Sequence, residues 1–398
     1  MPASDTDAAR GRYLKRLIAT SAAALAIEAA LYSSVAPLLP HYVDELGLSK
    51  SQAGLLTGSY TVGMVAGSIG AGVLVACFGA RRTVFSGFTL LGLTTLLFGV
   101  LQAYEPLTVA RLAQGIASGL IWVGMITWLI LAAPEKIRGQ ALGSAMGAAL
   151  FGTLFGPLIG TVAVAIGAAV TFGVVAAAAI VTGFWILRLE PPPVGVATAI
   201  SWRAAFSDRA FVVIALVALF PGLVAGLVNV LIPLRIDHVG GTSAAVGATF
   251  LCAGVVTAIM SPIVGARADR VGERAVMVGG LLLAAVTLVV LSAVQSWLAI
   301  AATTVVVTGF AISACGVPGM SLTSRVGAAA GLAPGAVAAV MNISFAGGET
   351  VGAVASAAGA EATSDAVPLL FMGALALTLV LVLQFWARRY PDLASRAG

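Results

Sequence analysis

Apolar runs of about 20 residues recur along the whole chain, and a helix of that length crosses the roughly 30 Å of hydrocarbon in a bilayer. The runs are continuous Ala, Val, Leu, Ile and Gly, unlike the alternating segments of a membrane β-barrel. Hydrophobic residues make up 60% of the chain and charged residues only 9%. Because a water-soluble domain needs a far more polar surface, the sequence predicts an all-α polytopic membrane protein.

Twelve spans are predicted, and they lie near residues 17–38, 51–76, 83–101, 107–132, 141–165, 169–187, 210–234, 243–264, 275–294, 297–320, 332–358 and 366–386. The run from Ala141 to Leu187 is too long for one span, and Gly167 is the best candidate for a turn within it. The first run contains Glu28 and exceeds the core of a signal peptide, so we expect it to be retained as a helix.

Basic residues predict the orientation of these spans. Of the 21 Lys and Arg residues, all but three fall at one side of the predicted membrane. Lys50 and Arg235 fall at the other side, and Arg111 lies within a span. Since basic residues accumulate in cytoplasmic segments, we expect both termini in the cytoplasm and the chain in the cell (plasma or inner) membrane.

The longest polar stretch, from Arg188 to Arg209, divides the spans into two groups of six, and three consecutive prolines within it disfavour a helix. We therefore predict an N-terminal six-helix bundle at 1–190, a cytoplasmic linker at 191–208 and a C-terminal six-helix bundle at 209–398. The halves also share motifs at nearly the same separation: Gly72, Gly79 and Arg81 match Gly265, Gly272 and Arg274, and Gly152, Gly156 and Gly160 match Gly348, Gly352 and Ser356. Such repeats indicate a duplicated unit, which is common in transporters.

The segment after the eighth span resembles the signature loop of the major facilitator superfamily, through Gly265, Asp269, Arg270, Gly272 and Arg274. The resemblance implies two pseudo-symmetric bundles and charge pairs that hold one conformational state. In the first-half copy Ala76 replaces the acidic residue, so a weaker latch is expected there. The alternative is a solvated basic turn that only sets topology.

The fifth span contains Gly152, Gly156, Pro157 and Gly160, which resembles the glycine–proline signature of antiporters in that family, especially drug–proton exporters. Glycines on one face let a neighbouring helix approach closely, and Pro157 removes a backbone donor. We expect a tight, bendable seam; ordinary small-residue packing is the alternative.

The end of the first span, with Glu28, Tyr32, Pro37 and Pro40, is similar to the first helix of twelve-helix drug–proton antiporters. A carboxylate near mid-membrane is costly when ionised, and this favours its protonated form. Glu28 is therefore a candidate proton carrier or a site for a cationic substrate. The alternative is a protonated Glu28 in a structural hydrogen bond.

Arg111 opens a segment that resembles the family's fourth-span pattern, which is linked to proton coupling, and Trp122 follows on about the same helix face. Snorkelling of Arg111 to the membrane interface is the alternative. In the eleventh span, Glu349 is a second candidate proton site or a structural acceptor, and Asn342 and Phe345 accompany it. Asn229 in the seventh span is also a candidate cavity residue, although we favour the interpretation that its side chain bridges two helices.

No nucleotide loop, metal cluster or nucleophile motif accompanies these residues, so we expect no enzyme activity, no metal and no cofactor. The expected partners are a small-molecule substrate, protons and the lipid bilayer, without nucleic acid, and the chain is expected to be a monomer. The favoured function is proton-coupled efflux of small lipophilic or cationic compounds. Export of a sugar, amino acid or other metabolite is the alternative, and a non-transporting receptor or scaffold is a more remote one.

Overall fold

The computed structural model describes residues 3–191, 209–330 and 334–389, and these are helical almost throughout. A 3-10 turn, Ala36–Leu38, and a π-helical segment, Val307–Ile312, separate some of the α-helices. The helices are α1 Ala3–Ser33, α2 Leu39–Leu46, α3 Lys50–Phe78, α4 Ala80–Val100, α5 Tyr104–Ala132, α6 Glu135–Ile166, α7 Ala168–Leu187, α8 Arg209–Val217, α9 Leu219–His238, α10 Ser243–Val271, α11 Glu273–Ala293, α12 Trp297–Val306, α13 Ser313–Ala329, α14 Pro334–Ala362 and α15 Ala366–Arg389.

Within the described residues, 11 helical segments are long and apolar enough to cross a membrane. They correspond to all the predicted spans except 332–358, and the 29-residue helix α14 covers most of that one. The chain is therefore a multi-pass membrane protein. Residues 192–208 of the predicted linker lie outside the described residues.

Glycines in a backbone conformation that other residues rarely adopt separate several helices. Gly167, with φ of 102°, stands between α6 and α7, so the predicted turn is confirmed. Gly79 and Gly272, the matched glycines of the repeated loop, have φ of 81° and 88° and separate α3 from α4 and α10 from α11. The two halves therefore use the same turn chemistry at the same place.

Two compact units make up the chain. One contains Met1–Leu38 and Ser59–Thr198, and the other contains Leu39–Gly58 and Ala199–Gly398. The segment Leu39–Gly58 thus groups with the second unit although it precedes the linker. The bundle boundaries inferred from the linker stay a prediction.

The helix pairs inside the units follow the predicted duplication. In the first unit α1 packs along α6 and α4 along α7; in the second α9 packs along α14 and α11 along α15. In both halves the first span therefore pairs with the fifth and the third with the sixth. Equivalent pairing of equivalent helices is expected from a repeated six-helix unit.

Arg235 falls inside a helix, although the predicted seventh span ended one residue before it. It lies in the last turn of α9 and is 7% exposed. Its guanidinium donates to Leu291 O at 2.7 Å and Val294 O at 3.0 Å, at the end of α11. The last carbonyls of a helix have no partner within it, so this arginine is drawn into the fold to cap α11.

Candidate functional site

Glu28 is the centre of a buried polar cluster in the first unit. The residue is 2% exposed on α1. Its Oε1 accepts hydrogen bonds from Tyr60 Oη and Ser118 Oγ, both at 2.5 Å, and its Oε2 accepts one from Trp122 Nε1 at 2.5 Å. Tyr60 comes from α3, whereas Ser118 and Trp122 are one turn apart on one face of α5. Three helices thus build this site.

The three donors suit both protonation states of Glu28. An ionised carboxylate only accepts hydrogen bonds, and each of these neighbours has one to give. When Glu28 is protonated it becomes a donor, and the hydroxyl of Tyr60 or Ser118 can turn and accept. The Trp122 indole, which can only donate, still has the other carboxyl oxygen. The carboxyl group of Glu28 therefore keeps hydrogen-bond partners when it takes up a proton.

Arg111 lies beside the Glu28 cluster. It is 2% exposed on α5, so the snorkelling alternative is wrong. Its guanidinium donates to Tyr32 O at 2.7 Å and Leu31 O at 3.4 Å, near the end of α1. Its Cζ also lies 4.3 Å from the centroid of the Tyr60 ring, which is cation–π geometry. Tyr60 is therefore the link between the guanidinium and the carboxylate.

Sequence reasoning missed Tyr60, Ser118 and Gln114. Tyr60 bonds to Glu28 and its ring lies 5.3 Å from that of Tyr32. Gln114 accepts from Arg111 at 3.0 Å and donates to Thr95 Oγ1 at 3.2 Å. Spacing from Arg111 was the available signal, because positions three and seven residues further along share its helix face. No local pattern pointed to Tyr60, which reaches the site only through packing of α3.

A second buried carboxylate lies in the other unit. Glu349 on α14 is 2% exposed, and Asn229 Nδ2 on α9 donates to its Oε1 at 3.0 Å. The structure thus joins two residues that the sequence assigned to separate spans. Asn342 lies about two turns before Glu349 on α14, and Phe345, also on α14, is 36% exposed.

The glycines of the fifth span lie against α1. A Cβ added at Gly152 would overlap Ala26 O, at Gly156 it would overlap Ala30 O, and at Gly160 it would overlap Ser34 O. Ser33 Oγ also donates to Thr153 O at 2.9 Å across this contact. The seam therefore lies on the helix that carries Glu28.

The second unit repeats this contact with glycines on both helices. Gly348 and Gly352 of α14 lie against Leu219 O and Leu223 O of α9. In return Gly222 and Gly226 of α9 lie against the backbone of α14 at Phe345 and Glu349. The Glu349–Asn229 pair is thereby held between closely packed backbones.

The repeated loops show two different uses of charge. Arg81 donates to Leu189 O at 3.0 Å, just after α7. Arg274 instead bonds to the Gln384 side chain on α15, and Glu273 pairs with Arg325. Among the described residues, Asp269 and Arg270 take part in no hydrogen bond or ion pair, and no group of side chains is arranged to hold a metal. The predicted charge latch of this loop stays a prediction.

The chain is similar in sequence to known membrane transporters. The Major Facilitator Superfamily profile matches residues 21–235 and 214–397. The quinolone resistance protein NorA of Staphylococcus aureus is 25% identical over 109 residues, and an uncharacterized MFS-type transporter of Methanocaldococcus jannaschii is 24% identical over 109 residues. Each match spans 27% of this chain and 28% of the relative, well under two thirds of its length.

A bacterial homolog to the human lysosomal transporter Spinster has a similar fold. Its inward-facing, unoccupied crystal structure aligns with a TM-score of 0.76 at 14% identity, and the alignment covers 97% of this chain and 98% of that one. At this identity the likeness concerns the fold alone. Together with the profile match over nearly the whole length, it means that the chain belongs to the Major Facilitator Superfamily, whose members are transporters rather than enzymes.

Proposed function

We propose that this transporter exports small lipophilic or cationic compounds from the cytoplasm across the cell membrane in exchange for protons, and that it acts as a monomer. The observation that carries the proposal is the Glu28 cluster: a buried carboxyl group whose three neighbours satisfy it with or without a proton. The NorA relatives, which are named for quinolone resistance, support a drug-like substrate.

In this proposal Glu28 binds a proton when the site is open to the outside and releases it when the site is open to the cytoplasm. The released carboxylate favours a cationic substrate, and Tyr32 and Trp122, which are partly exposed, supply aromatic surface beside it. Arg111 acts through Tyr60, because its guanidinium is held over that ring. Alternating access of one site to the two sides of the membrane is the usual transporter cycle.

Glu349 has a secondary role in the proposed transport cycle. Asn229 Nδ2 donates to Glu349, and two of the donors to Glu28 are hydroxyls, which can also accept a hydrogen bond. We therefore assign the main coupling step to Glu28 and a secondary proton site to Glu349.

Everted membrane vesicles test this function through uptake of a cationic dye with and without an imposed proton gradient. Wild-type vesicles should accumulate dye only with the gradient. Glu28→Gln, which keeps the shape and mimics the protonated state, should abolish accumulation but permit dye exchange without a gradient. Glu28→Asp should keep partial activity with an altered pH profile.

Glu349→Gln is the matched control, because it removes the other buried carboxylate and should retain more gradient-driven uptake than Glu28→Gln. If Glu28→Gln still concentrates dye with an unchanged pH dependence, the coupling role does not belong to Glu28. If wild-type vesicles ignore the gradient, proton-driven export itself is wrong.

A further inference from the structure

A cleft of about 510 Å³ opens on the second unit between α10, α11 and the π-helical segment with the start of α13. Its wall is apolar apart from Arg267, and includes Val264, Val271, Gly279, Leu283 and Phe310. Gly279 is exposed, and a Cβ added there would meet no atom within 4 Å. The proposed proton and drug sites use none of these residues, so the cleft is a separate feature.

The charge of this cleft lies at one end. Arg267 lines it four residues before α10 ends at Val271, and Arg270 follows one turn later. Both are exposed, and neither has a hydrogen bond or ion pair with another described residue. The nearby acids are Asp269, which is exposed, and Glu273, which already pairs with Arg325. The end of the cleft is therefore basic.

We propose that this cleft binds an anionic phospholipid, with an acyl chain along the apolar wall and the headgroup phosphate at Arg267 and Arg270. From Ala275 to Leu283 the wall on α11 extends about 12 Å from the basic end into the membrane span. Only a ligand with a negative head and an apolar tail matches both parts. Basic pockets between transmembrane helices bind anionic headgroups by this chemistry, and guanidinium–phosphate hydrogen bonds are among the strong ones.

The lipid would also contact an irregular helix. Phe310 belongs to the π-helical segment Val307–Ile312, and such segments occur often at functional sites. An acyl chain against Phe310 fills a space that is otherwise open beside this segment. Occupancy should therefore stabilise the second unit.

Retention of lipid by the purified full-length protein tests the proposal. Protein reconstituted in nanodiscs of equal phosphatidylglycerol and phosphatidylcholine is extracted into mild detergent, and its bound lipids are counted by native mass spectrometry. Wild type should retain phosphatidylglycerol in preference to phosphatidylcholine. Arg267→Gln should reduce that preference about fivefold, the loss expected for one basic residue at an anionic headgroup. Gly279→Leu should displace the acyl chain and reduce retention of this lipid to a similar extent.

Two variants serve as matched controls. Arg388→Gln removes an exposed arginine on α15, and Gly173→Leu adds a side chain to α7 where nothing lies within 4 Å. Both should retain phosphatidylglycerol like wild type. Equal retention of the two lipids by wild type, or unchanged retention by both Arg267→Gln and Gly279→Leu as monodisperse proteins, would overturn the proposal.

Discussion

At the scale of single residues, three buried charged side chains of this protein, Glu28, Arg111 and Arg235, have neutral hydrogen-bond partners. Glu28 accepts from two hydroxyls and an indole, whereas Arg111 and Arg235 donate to backbone carbonyls near helix ends. A charge within a membrane span is costly unless it finds such partners, and hydrogen bonds to charged groups are stronger than neutral ones. Because the hydrogen bonds to Glu28 come from neutral donors, the carboxyl group can gain or lose a proton while these neighbours stay in contact with it.

Arg111→Lys should be damaging although it keeps the charge. An ammonium group cannot reach Tyr32 O and Leu31 O while lying flat over the Tyr60 ring. We expect a loss of about 1–3 kcal/mol of stability, the range for a buried polar group left without its partner. The thermal midpoint of the purified protein measures it, with Arg12→Lys at an exposed position as control. Equal midpoints for both variants would contradict this role.

The sequence alone identified the charged residues of the site but only some of the residues that contact them. Glu28, Arg111 and Glu349 stand out because ionisable residues are rare in apolar spans. Tyr60 and Ser118 did not stand out, since both residue types occur in transmembrane helices without any special role. Their contact with Glu28 depends on how α3 and α5 pack against α1, and local pattern does not encode packing.

At the scale of helices, glycine seams control how closely partners approach. The α1–α6 contact of the first unit and the α9–α14 contact of the second both place glycines against a facing backbone. The seam and the buried carboxylate are joined in each unit, since Glu28 lies on α1 and Glu349 on α14. A change in seam packing must therefore move the carboxylate that lies on the same helix.

Gly156→Leu should abolish transport while leaving membrane insertion intact. The new side chain would overlap Ala30 O and Ser33 of α1 and separate the two helices. Such overpacking costs about 1–3 kcal/mol. Gly143→Leu on the same helix is the control, because nothing lies within 4 Å of that position. Dye uptake by vesicles with matched protein levels is the measurement, and normal uptake by Gly156→Leu would show that the seam has no role in transport.

Helix positions were more predictable than helix contacts. Hydropathy located the spans because the bilayer imposes a length on each of them, and the turn at Gly167 followed from an apolar run too long for one helix. The seventh span was predicted to end one residue before Arg235, whereas α9 continues past it, and the open carbonyls at the end of α11 need its guanidinium as a partner. This contact joins residues that are far apart in the sequence, so a local pattern cannot predict it.

At the scale of the whole molecule, the two halves share the same helix pairing but differ in the polar residues around their buried carboxylates. The same helix pairs recur, and the same loop glycines have positive φ. The first half contributes a carboxylate that two hydroxyls and an indole contact, and the second contributes a carboxylate that a side-chain amide contacts. Duplication therefore supplied the framework, and the polar residues diverged within it.

The basic residues predict that both termini face the cytoplasm. A fluorescent protein that matures only in the cytoplasm should therefore fluoresce when fused after Gly398. Alkaline phosphatase, which is active only outside it, should be inactive there. The same two reporters inserted at Gly240, in the turn between α9 and α10, should give the opposite result. Phosphatase activity after Gly398 would reverse the predicted orientation.

The contact between Trp122 and Glu28 makes the fluorescence of Trp122 an intrinsic probe of the charge on Glu28. The indole Nε1 donates directly to the carboxyl group at 2.5 Å, whereas the indoles of Trp128 and Trp185 donate to hydroxyls. The electronic transitions of an indole respond to a charge that appears or disappears on its hydrogen-bond acceptor. The wavelength and intensity of Trp122 emission should therefore change when Glu28 gains or loses a proton. Tryptophan fluorescence can then monitor the protonation of Glu28 without an attached dye.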